Sequence, residues 1–574
     1  VFNHPLALEI AHIAVEEAMR LGATFADARY EFRQHESLVT RNGVLHQATV
    51  LTEHGVGIRA LVRGAWGFVS VGEPTRHDVA VAAKRAVDLA RAAAILQDTP
   101  VRLVDEEPHR AIFRTQIKRD PLAVPIEDKI ELLFEIDGRI RGVNLITLAI
   151  GSFSAQRQRK LYVSSDGSEI DQELVWTGIG YQAGASDGAD FQLRSFPTSG
   201  RGQFLGKGWE LIGELPLLDS AEEVAKEAVE QLRADPCPND TTTLILGASQ
   251  VARQIHESCG HAVELDRVLG MERNGAGGSF LTTDRLGSFE LGSRIVNLYA
   301  DAREPGAPGT FGFDDEGVEA QRVELVTEGR FTGYLSSRET AERVGLERST
   351  GAGRAASWAT APLVRMTNVS LEPGTAGDLE SLIADTKSGV FMETNRSWSM
   401  DDLGAQFQAS CEVAWEIKNG KKTRRLKNPT YQGLTPLFWR SANAICDESA
   451  WSMHGIGSDR KGRPSQIVTV GHGAAPARFE NVEIGVHEFQ PPLVQDGDTI
   501  PLLHHPEATS LLGRRHSMIV TSGRPLSDDD EDEITSSQTI GEADTERPNA
   551  LKKKGPGKKK KKSQLRGGRK RSRR

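Results

Sequence analysis

The stretch from Thr241 to Asp266 reads TTTLILGASQVARQIHESCGHAVELD. Its opening, Thr241 to Leu246, is β-branched and apolar, which predicts a short buried strand. Ser249 to Ala262 then repeats at helical spacing, so the strand feeds directly into a helix. On the N-terminal side, Ser220 to Arg233 reads as an amphipathic helix with a capping residue and an acidic first turn. Pro236 and Pro238 break that helix, and the main domain boundary is expected there. On the C-terminal side, after Gly270, short apolar runs alternate with Gly, Asn and Asp turns down to Val520. That pattern predicts antiparallel strands in a barrel or sandwich.

Ahead of the boundary, Leu6, Leu8, Ile10, Ala11, Val15 and Met19 recur at helical spacing and Gly22 ends the run. Ala26 to Val39 alternates, Asn42-Gly43 makes a hairpin turn, and Val44 to Leu51 returns. Val56 to Val62 and Trp66 to Val71 look like further strands, and Asp78 to Ala94 like a second helix. Pro100 to Pro121 reads as an irregular connection. Beyond it, Ile126 to Ile140 is helical, and Leu145 to Ser152, Lys160 to Ser164 and Glu173 to Gln182 are strand-like. The fold class is therefore α+β: a mixed N-terminal domain over 1–235, a β-rich C-terminal domain over 236–520, and an acidic-then-basic disordered tail over 521–574.

The whole chain has 574 residues and a formal charge of -9, which averages two unlike regions. From Leu551 to Arg574 there are 14 of the 70 Lys and Arg residues and no acid, leaving 56 basic against 79 acidic groups in the body, a net of -23. So acidic a body is a poor nucleic-acid binder over most of its surface. The 4 cysteines, Cys237, Cys259, Cys411 and Cys446, include no C-x-x-C pair, which argues against a disulfide framework and Cys-rich zinc modules. No apolar run is long enough for a membrane helix, and Val1 to Val15 lacks signal-peptide character. A cytoplasmic location is expected.

Chemistry concentrates at His256-Glu257-Ser258-Cys259-Gly260-His261, followed by Glu264 and Asp266. Two imidazoles with an adjacent acid suit a catalytic divalent metal. Neutral His nitrogen binds Zn²⁺, and an unligated Glu can take a proton from water beside it. The spacing is a difficulty. Histidines four apart lie about 40° apart on a helix, whereas five apart they lie roughly 140° apart. Gly260 can resolve this by ending the helix or by admitting a π-bulge. On the alternative reading, the two are ordinary helix histidines with hydrogen bonds on opposite faces.

HESCGHAVELD resembles the metal-binding helix of the TldD/PmbA (modulator of DNA gyrase) family of metallopeptidases. Phe313-Asp314-Asp315-Glu316-Gly317, Gly333-Tyr334-Leu335 and Pro362 to Asn368 resemble family blocks in family order. His35-Glu36-Ser37 and Gly55 to Arg59 match as well. The resemblance runs from about Leu6 to Val520 and is nearer to the TldD branch than to the PmbA (TldE) branch, which lacks this helix. It implies a zinc site in a β-rich C-terminal domain, hydrolysis of short or unstructured peptides, and a TldE-type partner or a homodimer. It also implies His256 and His261 as metal ligands and Glu257 as general base. The family's third ligand is commonly a Cys in a pattern like G-V-G-x-C-G-K. This chain has Gly455-Ile456-Gly457-Ser458-Asp459-Arg460-Lys461, so Asp459 falls at that position, with His454 or no third protein ligand as the alternatives. A carboxylate is harder than a thiolate, which could shift the site away from zinc. The absent Cys also leaves a non-catalytic scaffold or partner subunit as an alternative.

Other candidates have plainer readings. Cys259 could be a nucleophile beside a His, but a small buried thiol is expected, and Cys411 and Cys446 are expected in the core. His35-Glu36 suggests a surface or interface role, His504-His505 and His516 loop histidines, and the Asp314-Asp315-Glu316 trio a structural or substrate-facing role. The tail from Lys552 has no aromatic residue for base stacking, so it would bind polyanions only through charge.

Overall fold

In a computed structural model, residues 2–200, 202–272 and 278–485 are described. The expected tail, the histidines at 504, 505 and 516, and the strands expected after 485 lie outside them.

Every pairing in the eight-stranded first sheet is antiparallel except one, at its edge. β1 (Phe25–Arg41), β2 (Val44–Val62) and β3 (Ala65–Gly72) form a meander. β4 (Arg110–Arg114), β5 (Ile146–Ser164), β6 (Glu169–Ser186), β7 (Phe191–Phe196) and β8 (Gln203–Leu205) complete the sheet. The order is β3-β2-β1-β5-β6-β4, with β7 and β8 also on β6. Asn42 and Gly43 take φ of 49° and 81°, the left-handed pair that a tight hairpin requires. The two runs expected as separate strands from Val44 to Val62 are one 19-residue strand. β4 falls inside the segment expected to be irregular. It pairs in parallel with Glu169–Glu173 as an edge, where its charged ends carry little strand signal.

Alternation along β1 sorts its side chains by face. Ala26, Ala28 and Tyr30 enter an apolar cluster with helices α1 (His4–Arg20) and α2 (Arg76–Ala93), while Leu38 joins a second cluster under α3 (Ile126–Arg141). The helix expected from Ser220 begins earlier, at Leu217, behind Pro216 and with no side-chain cap, because Leu217 itself is drawn into the second cluster. Asp27, Arg29 and Glu31 point to the opposite face, yet are at most 1% exposed. They are covered by the C-terminal half: Arg59 bridges Asp27 and Glu316, and Arg29 donates to the Thr360 carbonyl at 2.6 Å.

The C-terminal half is built on a barrel. Asp240–Leu246 lies between Ser388–Met400, parallel to it, and Ala477–Ile484, antiparallel to it. Thr430–Leu434 and Gln406–Lys418 follow, and the latter pairs back onto Ser388–Met400, closing five strands into a ring. Phe407, Tyr431, Phe438, Trp439 and Phe479 are buried in the core cluster of this half. A two-stranded ribbon, Ser452–Lys461 with Gln466–Ala474, stands apart from the ring. Among the described residues, no helix is long and apolar enough to cross a membrane.

Candidate metal centre

The helix Ala248–Ile255 leaves the first barrel strand as expected, and its polar side is tied to the barrel. Gln250 Nε2 donates to Tyr431 Oη at 2.8 Å, and that hydroxyl donates to Gln254 Oε1 at 2.9 Å. His256–Gly260 then forms a π-helical turn and His261–Val263 a 3-10 turn. The wider i→i+5 turn brings residues five apart back to one face, which removes the spacing difficulty. Ser258 holds this turn: its hydroxyl donates to the Gln254 carbonyl at 2.5 Å and accepts from Trp439 Nε1 at 3.0 Å. Gly260 is required for packing. A Cβ there would sit 2.1 Å from Met366 Sδ.

The ribbon brings the third side chain. Its register slips between Ile456 and Asp459, a bulge that turns Asp459 and Lys461 inward while Ser458 and Arg460 stay exposed. Asp459 Oδ1 lies 3.6 Å from His256 Nε2 and 3.3 Å from His261 Nε2. One donor atom from each of the three residues falls within 4.8 Å of the others. His454 is not part of this group. Its Nε2 meets Ser452 Oγ at 3.0 Å, and burial pushes its pKa down to about 4.

The opposite atom of each of the three side chains is already engaged. His472 Nδ1 donates to the Val369 carbonyl at 2.8 Å, so its Nε2 accepts from His256 Nδ1 at 2.9 Å, and His256 Nε2 keeps its lone pair. Glu264 Oε2 accepts from His261 Nδ1 at 3.0 Å, aiming Nε2 at the same point. Arg365 Nη2 donates to Asp459 Oδ2 at 2.7 Å, leaving Oδ1 toward the histidines. Lys461 Nζ donates to Glu264 Oε2 at 3.0 Å, Asp266 Oδ1 at 2.7 Å and the Val364 carbonyl at 2.7 Å. Such outer partners fix ring orientation and tautomer at metal sites.

Burial holds the His256 imidazole neutral, well below its ordinary range. Burial would lower His261 too, but the Glu264 and Asp459 carboxylates reverse the effect and raise it to about 10. Asp459 is desolvated, yet His261 and Arg365 keep its carboxyl well below the usual range. Two imidazole nitrogens and one carboxylate oxygen, converging and oriented, fit a divalent cation of the zinc type. Glu257 points elsewhere: its carboxylate pairs with Arg253 Nη2 at 2.6 Å, and its side chain is 18% exposed.

Cys259 is buried, with its thiol pushed up to about 12, and is inert rather than nucleophilic. Cys411 and Cys446 are buried as well. Glu36 pairs with buried Lys129 at 2.6 Å. A cavity of about 500 Å³ separates the first sheet from the helix and the ribbon. It is lined by His35, by Arg253, by Ser458 next to Asp459, and by His472, so it flanks the three converging side chains. Arg365 and Lys461 lie in segments that resemble the family blocks, but their residue types alone pointed to no role. His472 carried no motif signal, being a lone histidine in an alternating strand.

The comparisons with known proteins agree with this geometry. Residues 26–94, 119–234 and 239–486 match the first, central and C-terminal domains of the PmbA/TldA metallopeptidases. A protein named metalloprotease from Methanocaldococcus jannaschii is 28% identical, over 81% of this chain and 97% of its own. A zinc metalloprotease TldD homolog from Saccharolobus solfataricus is 22% identical, over 82% and 98%. Two crystal structures share the fold. One, from Thermotoga maritima and described as a modulator of DNA gyrase, has a TM-score of 0.66 at 15% identity, covering 83% of this chain and 99% of that one. TldE from Thermococcus kodakarensis has 0.61 at 17%, covering 82% and 100%. With three successive family domains spanning both halves of the fold, the chain belongs to the PmbA/TldD metallopeptidase family.

Proposed function

We propose that this chain is a zinc-dependent peptidase acting on short or unfolded peptides, with His256, His261 and Asp459 as metal ligands and Glu257 as general base. The observation that carries the reading is the convergence of the two Nε2 atoms and Asp459 Oδ1, each held by a hydrogen bond on its far side. A bound zinc ion would supply Lewis acidity to the scissile carbonyl and to water. His256 presents a lone pair, His261 would present one on giving up its Nε2 proton to the metal, and Asp459 supplies the negative charge. Glu257, next to His256 and partly exposed, accepts the proton of the attacking water and passes it to the leaving amine. Arg253 steers that carboxylate and is expected to release it as a peptide enters.

The pairing of Glu257 with Arg253 is the observation that favours the second reading, a non-catalytic scaffold or partner subunit. The Glu257→Gln variant separates the two. On the peptidase reading it keeps its metal and loses about 10²- to 10⁴-fold in peptide hydrolysis. No hydrolysis by either chain with zinc bound and a partner supplied supports the scaffold, and equal hydrolysis by both overturns Glu257 as the base. We further propose a domain division at residues 235/236, a TldE-type or homodimeric partner, a cytoplasmic location, and non-specific polyanion binding by the basic tail.

A further inference from the structure

Arg396 stands in the cavity beside the metal centre with an uncompensated charge. Two guanidinium groups line that cavity, and Arg253 is already matched by Glu257. Arg396 Nη1 donates to the amide oxygen of Asn428 at 3.1 Å, and among the described residues no carboxylate lies within ion-pairing distance of it. The one carboxylate sharing the cavity lining, Glu412, is taken up elsewhere. It accepts from Ser195 N at 2.7 Å, from Ser195 Oγ at 2.5 Å and from Arg194 Nη1 at 3.3 Å. Burial outweighs the attraction of Glu412 and Asp190 and pulls the Arg396 pKa down, as it does for a cation short of a counter-charge. A guanidinium presents a planar fork that matches a carboxylate with two parallel hydrogen bonds. A cavity of about 500 Å³ has the volume of a short ligand rather than a folded segment.

We infer that Arg396 is a specificity residue that selects peptides presenting a carboxylate to this cavity. The inference rests on the peptidase reading for the nature of the ligand, but its test needs neither metal nor turnover. The carboxylate can come from the peptide's C-terminus or from an Asp or Glu side chain.

Binding of three pentapeptides to the full-length chain and to its Arg396→Gln and Arg396→Lys variants decides it. The probes are Ala-Ala-Phe-Ala-Ala as free acid, the same peptide as C-terminal amide, and Ala-Glu-Phe-Ala-Ala amide, each followed by calorimetry on the chain freed of zinc by chelator, so that no peptide is turned over and Arg253 keeps its Glu257 partner. The free acid is expected to bind about tenfold tighter than the plain amide, with the preference lost in Arg396→Gln and reduced in Arg396→Lys. If the Glu-containing amide binds as tightly as the acid, a side chain can be the source; if it binds like the plain amide, the C-terminus is. Equal binding of acid and both amides by the wild-type residue overturns the inference, as does a preference that survives Arg396→Gln. Should Arg396→Gln lose its cooperative thermal unfolding, the acid-to-amide ratios of the parent and of Arg396→Lys decide between these outcomes. If the chain shows the Arg396-dependent preference but, re-equilibrated with zinc, binds no metal or hydrolyses no peptide, the result counts against the peptidase reading alone.

Discussion

Two groups of buried carboxylates lie in the C-terminal half, and they differ in what their oxygens face. In Asp314, Asp315 and Glu316 every oxygen with a partner meets a donor of the protein. Asp314 caps the backbone N–H groups of Glu316, Val318 and Gly353, Asp315 meets Lys160 and Ala355 N, and Glu316 meets Arg59 and Arg338 N. Lys160 and Arg59 come from the first sheet, so this cluster joins the two halves. At the other site Asp459 Oδ2 is bonded to Arg365, while Oδ1 faces only two imidazole nitrogens. Buried charge alone therefore does not mark a chemical site; converging acceptor atoms with their other ends tied do.

The sharpest way to break this contrast is to remove a converging group. His261→Ala and Asp459→Ala should each abolish zinc binding and reduce peptide hydrolysis to background. Asp315→Asn should leave zinc content unchanged while lowering stability, as read by metal analysis and chemical denaturation. Next in size are the two lysines. Lys461→Met and Lys160→Met each take the ammonium partner away from buried carboxylates and should cost about 3–5 kcal/mol in urea unfolding. Only the change at Lys461 should also weaken zinc, because it frees Glu264 from the arrangement that aims His261. If both variants weaken zinc equally, the contrast fails.

A smaller effect is expected from His472→Leu, which leaves His256 Nδ1 without its acceptor. Zinc affinity should fall about 10- to 100-fold by competition titration, with the fold intact by circular dichroism. The pH dependence follows from His261. Its pKa in the folded chain is raised from 6.5 to about 10, so the stability its proton contributes is complete below pH 6.5 and is lost as pH rises through about 10. Zinc competes with that proton for Nε2. Apparent affinity should therefore rise about tenfold per pH unit between pH 7 and 9, measured by calorimetry in buffers of different ionisation enthalpy. A flat profile would mean that His261 is already neutral.

What the sequence made legible follows from how local each signal is. The strand-to-helix passage at 241–261, the Asn42-Gly43 hairpin and the alternation of β1 are short-range patterns, and each was readable. So was the H-E-x-x-x-H pair, along with the geometric difficulty that its π-helical turn resolves. Asp459 was reached only through the family resemblance, as the residue standing where that pattern has its Cys. His472 was not, because its meaning depends on meeting His256 and the Val369 carbonyl, both more than a hundred residues away in the chain. Arg396 was missed for the same reason, since its lack of a counter-charge exists only once the barrel has placed Glu412 against Ser195 and Arg194. The polar face of β1 read as alternation, but nothing local showed that the C-terminal half would cover it.

The central claim is that His256, His261 and Asp459 together hold one metal ion. Its most direct test is the zinc content, by mass spectrometry, of the full-length chain purified without chelator and equilibrated with zinc, beside His261→Ala and Asp459→Ala. Close to one zinc per chain is expected in the wild type and none in either variant. A wild-type chain without bound metal, or variants that keep the full complement, would contradict the claim.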